Sequence, residues 1–178
     1  MIIGLTGYAQ SGKDTVANIL VNNYGYTRVA FADKIREFVY RTNPLIETGI
    51  SVQDMVDEYG WDVAKQNSEV RRLLQNFGVT ARDMFGDTFW INQLLWGYDW
   101  SVPTVVTDVR FENEAKYLKK WTPDDTQLWR IKRPGVEAVN SHVSESQLDG
   151  YPVDQIFMNN GTLEDLEVLI KTRMNGLL

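Results

Sequence analysis

The sequence predicts an α/β fold in which helices cover both faces of a parallel β-sheet. Short apolar runs, typical of buried strands, alternate with segments of helical periodicity, and this alternation favours a parallel sheet. A glycine-rich turn joins the first predicted strand to the first predicted helix. The chain has 178 residues, 43% of them apolar and 24% charged, which fits one domain spanning residues 1–178.

Five strands and several helices are predicted along the chain. The strands cover residues 2–6, 27–31, 102–107, 128–131 and 156–158. Helices are expected at residues 12–24, after the second strand, and at the C-terminus, where Thr162 and Asp165 stand at capping-box spacing. Residues 43–98 read as a helical insert with no convincing strand, and Ser68 and Gly78 are predicted to cap and end one of its helices.

The charge and composition of the chain exclude several classes of protein. The formal net charge is −6 and the sequence pI is about 4.8, which argues against nucleic-acid or anionic-membrane partners. A phosphate-binding site must therefore concentrate cations locally. Cysteine is absent, so thiolate chemistry is excluded, and His142 is the single histidine, which we expect to be exposed in a loop. No membrane span or signal peptide is recognisable, so a cytoplasmic location is expected.

The strongest motif is the segment Gly7-Tyr-Ala-Gln-Ser-Gly12-Lys13, which has the pattern G-x-x-x-x-G-K between a strand and a helix. Its glycines let the backbone curl so that successive N–H groups point at phosphate oxygens. The helix N-terminus contributes its dipole, and Lys13 is expected to reach the β- and γ-phosphates. The sequence therefore predicts a phosphate loop (P-loop) that binds ATP.

Asp14 occupies the position where a P-loop normally has a hydroxyl that ligates Mg²⁺. One interpretation is that its carboxylate binds the ion or one of its waters. The other is that Asp14 is a first-turn acid that stabilises the helix dipole. Thr15 follows, where a hydroxyl is expected to contact the α-phosphate.

Two further carboxylates follow predicted strands. Asp108 ends the third strand, and in doubly wound sheets the ligand crevice lies at the carboxyl ends of the strands. Asp108 is therefore expected to organise Mg²⁺ opposite Lys13, with helix capping or surface exposure as the alternative. Asp33 follows the second strand, where it either contacts a substrate hydroxyl or acts as a base, or caps a helix.

Arginines are the expected tools of phosphoryl transfer, since that reaction depends on positioning and charge neutralisation. Arg110 is the favoured candidate because it lies two residues beyond Asp108. Arg130 and Arg133 flank the end of the fourth strand and the start of a polar segment, residues 133–144, that we expect to form a lid. Trp90 is interpreted as a packing residue rather than a cover for a base. The candidates as a set are Arg71, Arg72, Arg82, Arg110, Arg130 and Arg133.

Several segments, taken in order, resemble the bacteriophage-type deoxynucleoside monophosphate kinases. The form Ser11-Gly12-Lys13-Asp14-Thr15 is fairly specific for that family, and the remaining segments are individually loose. The landmarks run from residue 7 to about residue 170. The other segments are Phe31-Ala32-Asp33, Arg71-Arg72 through Gln75, Gly78 and Arg82, Thr107 to Phe111 with Asn113-Glu114-Ala115, His142 to Glu145, Leu148-Asp149 and Asn159 to Thr162.

The resemblance implies a P-loop kinase with a three-layer α/β/α fold, a five-stranded parallel sheet, and an insert at residues 43–98 that covers the acceptor site. It implies ATP and Mg²⁺ on the donor side and a deoxynucleoside monophosphate as acceptor. Catalytic roles would fall to Lys13, Asp33, Asp108, Arg110 and Arg130, and metal binding to Asp14 and Asp108. Nucleotide contacts would come from Gly7, Ala9, Gln10, Ser11, Gly12, Lys13, Asp14, Thr15, Arg130, Arg133, Asn160 and Gly161, and acceptor contacts from Asp33, Arg71, Gln75, Arg82 and Arg110.

Other functions were weighed against this one. A GTPase switch needs an Asn-Lys-x-Asp motif, and the chain contains no Asn-Lys pair. A motor ATPase commonly has Glu after the strand-three Asp, whereas Val109 follows Asp108 here. Kinases of dephospho-coenzyme A and phosphomevalonate share parts of the pattern and remain alternatives. The expected partners are small nucleotides, with neither nucleic acid nor membrane, and the protein is expected to be a monomer or a homodimer.

Overall fold

The structure is a computed structural model that describes residues 1–46, 49–96, 98–121, 125–137 and 146–177. The chain divides into two compact units. Unit 1 comprises Met1–Ala30 and Tyr98–Leu178, and unit 2 comprises Phe31–Gly97. Unit 2 thus contains nearly all of the predicted insert together with the helix before it. The assignment of residues 1–178 to one domain stays a prediction.

The helices and strands alternate in the order that the sequence predicts. Within the described residues, strands belong to unit 1 and unit 2 is helical. In neither unit does a described helix have the length and apolar character needed to cross a membrane. In chain order the elements are β1 (Ile2–Thr6), α1 (Lys13–Tyr24), β2 (Thr27–Val29), α2 (Phe31–Thr42), α3 (Val52–Ala64), α4 (Ser68–Phe85), α5 (Phe89–Leu95), β3 (Thr104–Val106), α6 (Glu112–Trp121), β4 (Thr126–Lys132), β5 (Gln155–Met158) and α7 (Leu163–Asn175).

Unit 1 is built on a five-stranded parallel sheet of order β2-β3-β1-β4-β5. The strand that leads into the glycine-rich turn is therefore central, with β3 and β4 as its neighbours. This confirms the predicted parallel sheet. Because all the strands are parallel, their carboxyl ends meet at one edge, where ligands bind in folds of this kind.

The strand boundaries differ from those predicted. The second strand ends at Val29 rather than Phe31, because Phe31 is already the first residue of α2. The third begins at Thr104 rather than Val102, since Pro103 has no N–H for the ladder and contributes only its carbonyl, which accepts from Thr27 N at 2.8 Å. The fourth is longer than predicted, because it pairs with strands on both sides.

Helices cover both faces of the sheet in unit 1. On one face, apolar side chains of α1 and α7 pack with the sheet around Trp129 and form the main core. On the other face lies α6: a Cβ placed on Gly4 of β1 would meet Leu118 of that helix at 3.3 Å. The arrangement is the predicted three-layer α/β/α fold. The predicted capping box of α7 is also present, with Asp165 N donating to Thr162 Oγ1 at 3.2 Å and Thr162 N donating to Asp165 Oδ2 at 2.9 Å.

Unit 2 has its own small apolar core, contributed by α2, α3, α4 and the segment between α2 and α3. Its buried members are Val39, Ile46, Val52 and Val70. Trp90 of α5 is buried in the same unit and donates from Nε1 to Gly78 O at 2.9 Å, as expected of a packing residue.

The limits of α4 correct the sequence analysis. Asn67, not Ser68, is the N-cap: its Oδ1 accepts from Glu69 N at 2.9 Å and from Val70 N at 3.2 Å. Gly78 does not end the helix, which continues to Phe85 and closes at Gly86, a residue with φ of 95°. Gly78 has no positive φ and faces Ile35, where a Cβ would make an ordinary contact at 3.4 Å.

The capping of α4 can be tested with two neighbouring alanine substitutions. Asn67→Ala removes the acceptor for two backbone N–H groups and should lower the free energy of unfolding by about 1 kcal/mol. Ser68→Ala, at the first helical position, should change it by less than about 0.5 kcal/mol. Urea denaturation of both variants measures the difference. A larger loss for Ser68→Ala would restore the sequence-based assignment.

Candidate active site

The segment from Gly7 to Lys13 makes a tight turn from β1 into α1 that glycine alone permits at two points. Gly7 has φ of 136°, and a Cβ there would lie 2.3 Å from the carbonyl oxygen of Ile131. Gly12 has φ of 107°, and a Cβ there would lie 2.4 Å from Asn159 Nδ2. Both glycines of the motif are therefore required by backbone conformation and by close neighbours. The structure has the curled loop that the motif predicts.

Polar contacts inside the loop converge on its first two residues. Lys13 Nζ donates to the carbonyl oxygens of Gly7 and Tyr8, each at 2.7 Å, and Ser11 N donates to Tyr8 O at 3.2 Å. Ser11 Oγ is buried and has no hydrogen-bond partner in the part of the chain that the structure describes. Since buried hydroxyls are normally satisfied, this oxygen is suited to a ligand oxygen within the loop.

The first turn of α1 directly follows the loop. Gly12, the N-cap, cannot offer a side chain, so the backbone N–H groups of this turn receive no cap from it. A helix N-terminus of this kind favours anions. Asp14 is exposed in this turn and Thr15 is half-buried beside it.

Asn159 is a part of the loop's surroundings that the sequence analysis missed. Its Nδ2 donates to Ser11 O at 2.9 Å across 148 residues of sequence. It directly follows β5, whose carboxyl end lies at the same edge of the sheet as the loop. The predicted Asn160 and Gly161 are adjacent to it and exposed. An asparagine at the end of a strand was the available signal, but nothing in the sequence distinguished it from its neighbour Asn160.

The segment after β3 positions Asp108 and Arg110. Asp108 precedes α6 by four residues, so it is not the cap of that helix. Glu114 of α6 is only 1% exposed, and its Oε2 accepts from Arg110 N at 2.8 Å and from Phe111 N at 3.0 Å. A buried carboxylate thus fixes the backbone from which the Arg110 side chain projects.

A cavity of about 340 Å³ in unit 1 lies beside the phosphate loop. Of the predicted site residues it gathers Gly7, Ser11, Arg110, Arg130 and Arg133. Among the described residues, its charged lining consists of these three arginines, Lys132 and one carboxylate, Asp149. In a protein of net charge −6 this is the local concentration of cations that binding of a polyphosphate requires. The remaining lining residues are Thr6, Tyr8, Val109, Ile131, Pro134, Val136, Leu148 and Met158.

Arg130 differs from the other cations of the cavity in how its guanidinium is used. It is 8% exposed and donates to three main-chain carbonyl oxygens: those of Leu148, Asp149 at 3.1 Å and Tyr151 at 2.9 Å. These contacts favour an anchoring role for Arg130 over the direct phosphate contact expected from sequence. Lys132 and Arg133, by contrast, are exposed at the end of β4.

Tyr8 connects the phosphate loop to the anchored segment. Its hydroxyl donates to Asp149 Oδ2 at 2.7 Å, and this hydrogen bond to a carboxylate raises the pKa of the Tyr8 phenol. The sequence analysis assigned no role to either residue. Tyr8 occupies a variable position of the motif, and Asp149 is 141 residues away, so no local pattern pointed to the contact.

Of the acceptor-side residues predicted from sequence, Arg110 lies in unit 1 and the other four lie in unit 2. Asp33 is the third residue of α2, not its cap, and pairs with Arg36 at 2.7 Å. It lines an open groove between α2 and α3 whose lining does not include Arg71, Gln75 or Arg82. Those three recur on one face of α4, at spacings of four and seven residues. Arg72 pairs with Glu69 on the same helix, at 3.0 Å.

Parts of the predicted lid lie outside the described residues. Residues 133–137 are described, and the cavity lining includes Arg133, Pro134 and Val136. Residues 138–144 of the predicted lid, including His142, are outside the described part, so the expectations for them stay predictions.

The carboxylates expected to serve Mg²⁺ fit that ion by their chemistry, since Mg²⁺ prefers oxygen ligands. No group of three or more His, Asp or Glu side chains that could hold a metal occurs within the described ranges. Mg²⁺ does not need such a group, since it keeps several waters and binds through one or two carboxylates plus substrate phosphates. Asp14 and Asp108 follow β1 and β3, which are adjacent in the sheet. Two carboxylates near a phosphate loop therefore form a suitable donor set.

Two solved structures similar to this chain are kinases. Dephospho-coenzyme A kinase from Campylobacter jejuni matches with a TM-score of 0.50 at 16% identity, over 98% of this chain and 96% of that one. Shikimate kinase from Aquifex aeolicus matches with a TM-score of 0.48 at 14% identity, over 99% of each chain. The sheet order, the glycine-rich loop and the first of these likenesses define the fold as that of a P-loop kinase.

Sequence comparison resolves the family. A family model described as deoxynucleotide monophosphate kinase matches residues 47–170, more than two thirds of the chain. A protein of Acanthamoeba polyphaga mimivirus, named as a putative deoxynucleotide monophosphate kinase, is 28% identical to this chain over an alignment 188 residues long. The alignment covers 93% of this chain and 91% of the viral protein. The chain belongs to the deoxynucleotide monophosphate kinase family, and it is a nucleotide kinase.

The close approach at Gly7 yields a test of the loop geometry. Gly7→Ala should reduce ATP binding at least about 10-fold, because the new Cβ collides with a backbone carbonyl and forces the loop to shift. Gly25→Ala is the matched control: Gly25 also has positive φ, 69°, but a Cβ there would meet nothing within 4 Å. Isothermal titration of both variants with ATP separates backbone strain from the collision. Equal losses in the two variants would contradict the geometric argument.

Proposed function

We propose that this enzyme transfers the γ-phosphoryl group of ATP to a deoxynucleoside monophosphate, with Gly7 to Thr15 holding the donor phosphates. The observation that carries this proposal is the loop itself. Two glycines are fixed by positive φ and close neighbours, a buried Ser11 hydroxyl lacks a partner among the described residues, and a lysine follows at the helix start. Family membership supplies the acceptor class.

The proposed reaction is an in-line displacement at the γ-phosphorus. A phosphate oxygen of the deoxynucleoside monophosphate forms the new P–O bond, the bond between the γ-phosphorus and the β,γ-bridging oxygen breaks, and ADP leaves with that oxygen's electron pair. The acceptor phosphate is already ionised near neutral pH, so the protein has to position and neutralise charge rather than create a nucleophile. Loop N–H groups and Lys13 serve the donor phosphates in this scheme.

The cavity cations are proposed to serve the phosphates that exchange the phosphoryl group. Arg110 has its backbone fixed by buried Glu114 and would contact the acceptor phosphate. Arg133, exposed at the end of β4 in the same lining, would neutralise charge that develops in the transition state. Arg130 would act through its three carbonyl contacts, by holding the cavity wall. Asn160 and Gly161 would lie near the adenine.

Residues on α2 and α4 that the family resemblance assigns to the acceptor are proposed to contact it. The common face of Arg71, Gln75 and Arg82 on α4 supports this assignment, since one helix face presents two guanidinium groups and an amide together. Asp33 would accept a hydrogen bond from a substrate hydroxyl, or act as a base. These roles rest on the family resemblance of the segments that carry them.

Mg²⁺ is proposed to bind with ATP, held on the protein side by Asp14 and Asp108. When bound, the ion would neutralise charge on the β- and γ-phosphate oxygens. A cytoplasmic location and a bacteriophage-type origin stay predictions, and the cytoplasm would supply both proposed substrates.

A screen of acceptors tests the proposed reaction. Coupled ADP release should be stimulated by at least one of dAMP, dGMP, dCMP and dTMP, and more strongly than by dephospho-coenzyme A or phosphomevalonate. Lys13→Ala should reduce turnover at least about 100-fold, the scale for removal of one preorganised charge contact. Lys171→Ala, at an exposed lysine of α7, is the matched control and should leave turnover unchanged.

Three results of this screen would contradict the proposal. Stimulation by dephospho-coenzyme A or phosphomevalonate alone would replace the acceptor class. ADP release that no acceptor stimulates would indicate a nucleotide hydrolase. Near-normal turnover of Lys13→Ala would remove the phosphate-loop assignment.

The two interpretations of Asp14 separate in one variant. If its carboxylate serves Mg²⁺, Asp14→Asn should raise the Mg²⁺ concentration for half-maximal rate several-fold, about the effect of losing one charged ligand contact, without lowering the melting temperature of the ligand-free protein. If it serves only the helix dipole, stability should fall by about 0.3–1 kcal/mol and the Mg²⁺ dependence should not move. Glu164→Gln, in the first turn of α7, is the control for losing a first-turn carboxylate away from the phosphate loop.

A further inference from the structure

Tyr8 is the residue on which the internal contacts of the phosphate loop converge. Its carbonyl oxygen accepts hydrogen bonds from Ser11 N at 3.2 Å and from Lys13 Nζ at 2.7 Å. Any displacement of Tyr8 therefore displaces the acceptor that both groups share. The conformation of the loop depends on where the Tyr8 backbone is held.

The Tyr8 side chain is held from outside the loop. Its hydroxyl donates to Asp149 Oδ2 at 2.7 Å, and Asp149 belongs to the segment that Arg130 anchors through the carbonyl oxygens of residues 148, 149 and 151. Asp149 therefore does not depend on its own exposed side chain for its position. The guanidinium that fixes it is almost entirely buried.

The two ends of this connection start from paired positions of the sheet. Thr6, the last residue of β1, is in register with Arg130 of β4. From Thr6 the chain continues into the loop to Tyr8, and from Arg130 the guanidinium reaches the segment that carries Asp149. The hydrogen bond from Tyr8 to Asp149 closes a ring of contacts whose base is the β1–β4 ladder. The other three links do not involve that bond: the chain from Thr6 to Tyr8, the pairing of Thr6 with Arg130, and the contacts from Arg130 to the segment that carries Asp149. The bond from Tyr8 to Asp149 therefore connects the loop to that segment.

We propose that Tyr8 is a positioning residue for ATP binding, and that its hydrogen bond to Asp149 holds the phosphate loop in the conformation that accepts the donor phosphates. The proposal rests on the proposed function in one respect, that the loop binds ATP. Tyr8 acts through the backbone groups it fixes, and no contact between its hydroxyl and the nucleotide is required. Tyr8 lines the cavity, and Tyr8→Phe removes the hydroxyl alone.

The test measures equilibrium binding of Mg²⁺ and the non-hydrolysable β,γ-imido analogue of ATP by isothermal titration. Tyr8→Phe should weaken binding about 3- to 10-fold, the scale of one lost side-chain hydrogen bond. Asp149→Ala should weaken it equally, and the double variant should be no weaker than either single variant, because both remove the same bond. Asp149→Asn should bind almost as the wild type, since an amide oxygen still accepts from the phenol.

The controls separate positioning from general stability. Tyr24→Phe removes a hydroxyl that makes no hydrogen bond within the described residues, so it should leave both affinity and melting temperature unchanged. Tyr8→Phe should likewise keep its melting temperature while losing affinity, a split that a purely structural role would not give. Should Asp149→Ala fail to fold, Tyr8→Phe and Asp149→Asn decide the question between them.

Several outcomes would overturn the proposal. Unchanged or tighter binding by Tyr8→Phe would show that the bond does not hold the loop for the nucleotide. Additive losses in the double variant would show that the two residues act separately. Failure of the wild type to bind the analogue would remove the phosphate-loop assignment on which the inference rests. Binding of the analogue without phosphorylation of any deoxynucleoside monophosphate would instead refute the proposed acceptor and leave this inference standing.

Discussion

The site in unit 1 depends on one constraint, the close approach of the backbone at Gly7 to the carbonyl oxygen of Ile131. The ladder between β1 and β4 is in register up to Thr6 and Arg130. Ile131, the next residue of β4, therefore lies beside the point where the chain leaves the sheet. Only a residue without a Cβ fits there, and only glycine readily adopts the φ that turns the chain back toward α1. The register of two strands thus determines where the glycine-rich turn leaves the sheet.

The charge of the molecule is organised around that point. A protein of net charge −6 repels polyphosphates on average, and binding requires the field to be reversed locally. Within the described part of the chain, four cations and one carboxylate line the cavity beside the loop, and that carboxylate accepts a hydrogen bond from Tyr8. Asp14 and Asp108 are not among these lining residues. A carboxylate near the ligand phosphates would repel them unless a metal ion lay between carboxylate and phosphate. The separation of acids from cations is what makes the metal interpretation physically coherent.

The sequence predicted the features that depend on local pattern and missed those that depend on distant contacts. Alternating apolar runs and the motif from Gly7 to Lys13 led to the sheet, the loop and the family. The predicted end of α4 was wrong, because Gly78 resembles a stop signal by itself, whereas in the structure the helix continues past it and its carbonyl oxygen accepts from Trp90 Nε1. Tyr8 and Asp149 were missed for a related reason: their bond joins residues far apart in sequence, and neither residue type at its position carries a signal.

The arginines illustrate why residue type alone does not assign roles in such a cavity. Arg110 follows β3 and Arg130 lies near the end of β4, both line the cavity, and the sequence favours Arg110 only for its position two residues beyond Asp108. Their surroundings differ. Buried Glu114 accepts from the main-chain N–H of Arg110, whereas the guanidinium of Arg130 donates to three main-chain carbonyl oxygens. A guanidinium so engaged would have to exchange three hydrogen bonds for phosphate contacts, and each carbonyl left behind would be unsatisfied. Fewer hydrogen bonds are lost if Arg130 keeps its carbonyl contacts and holds the cavity wall, while the cations beside it contact the substrate.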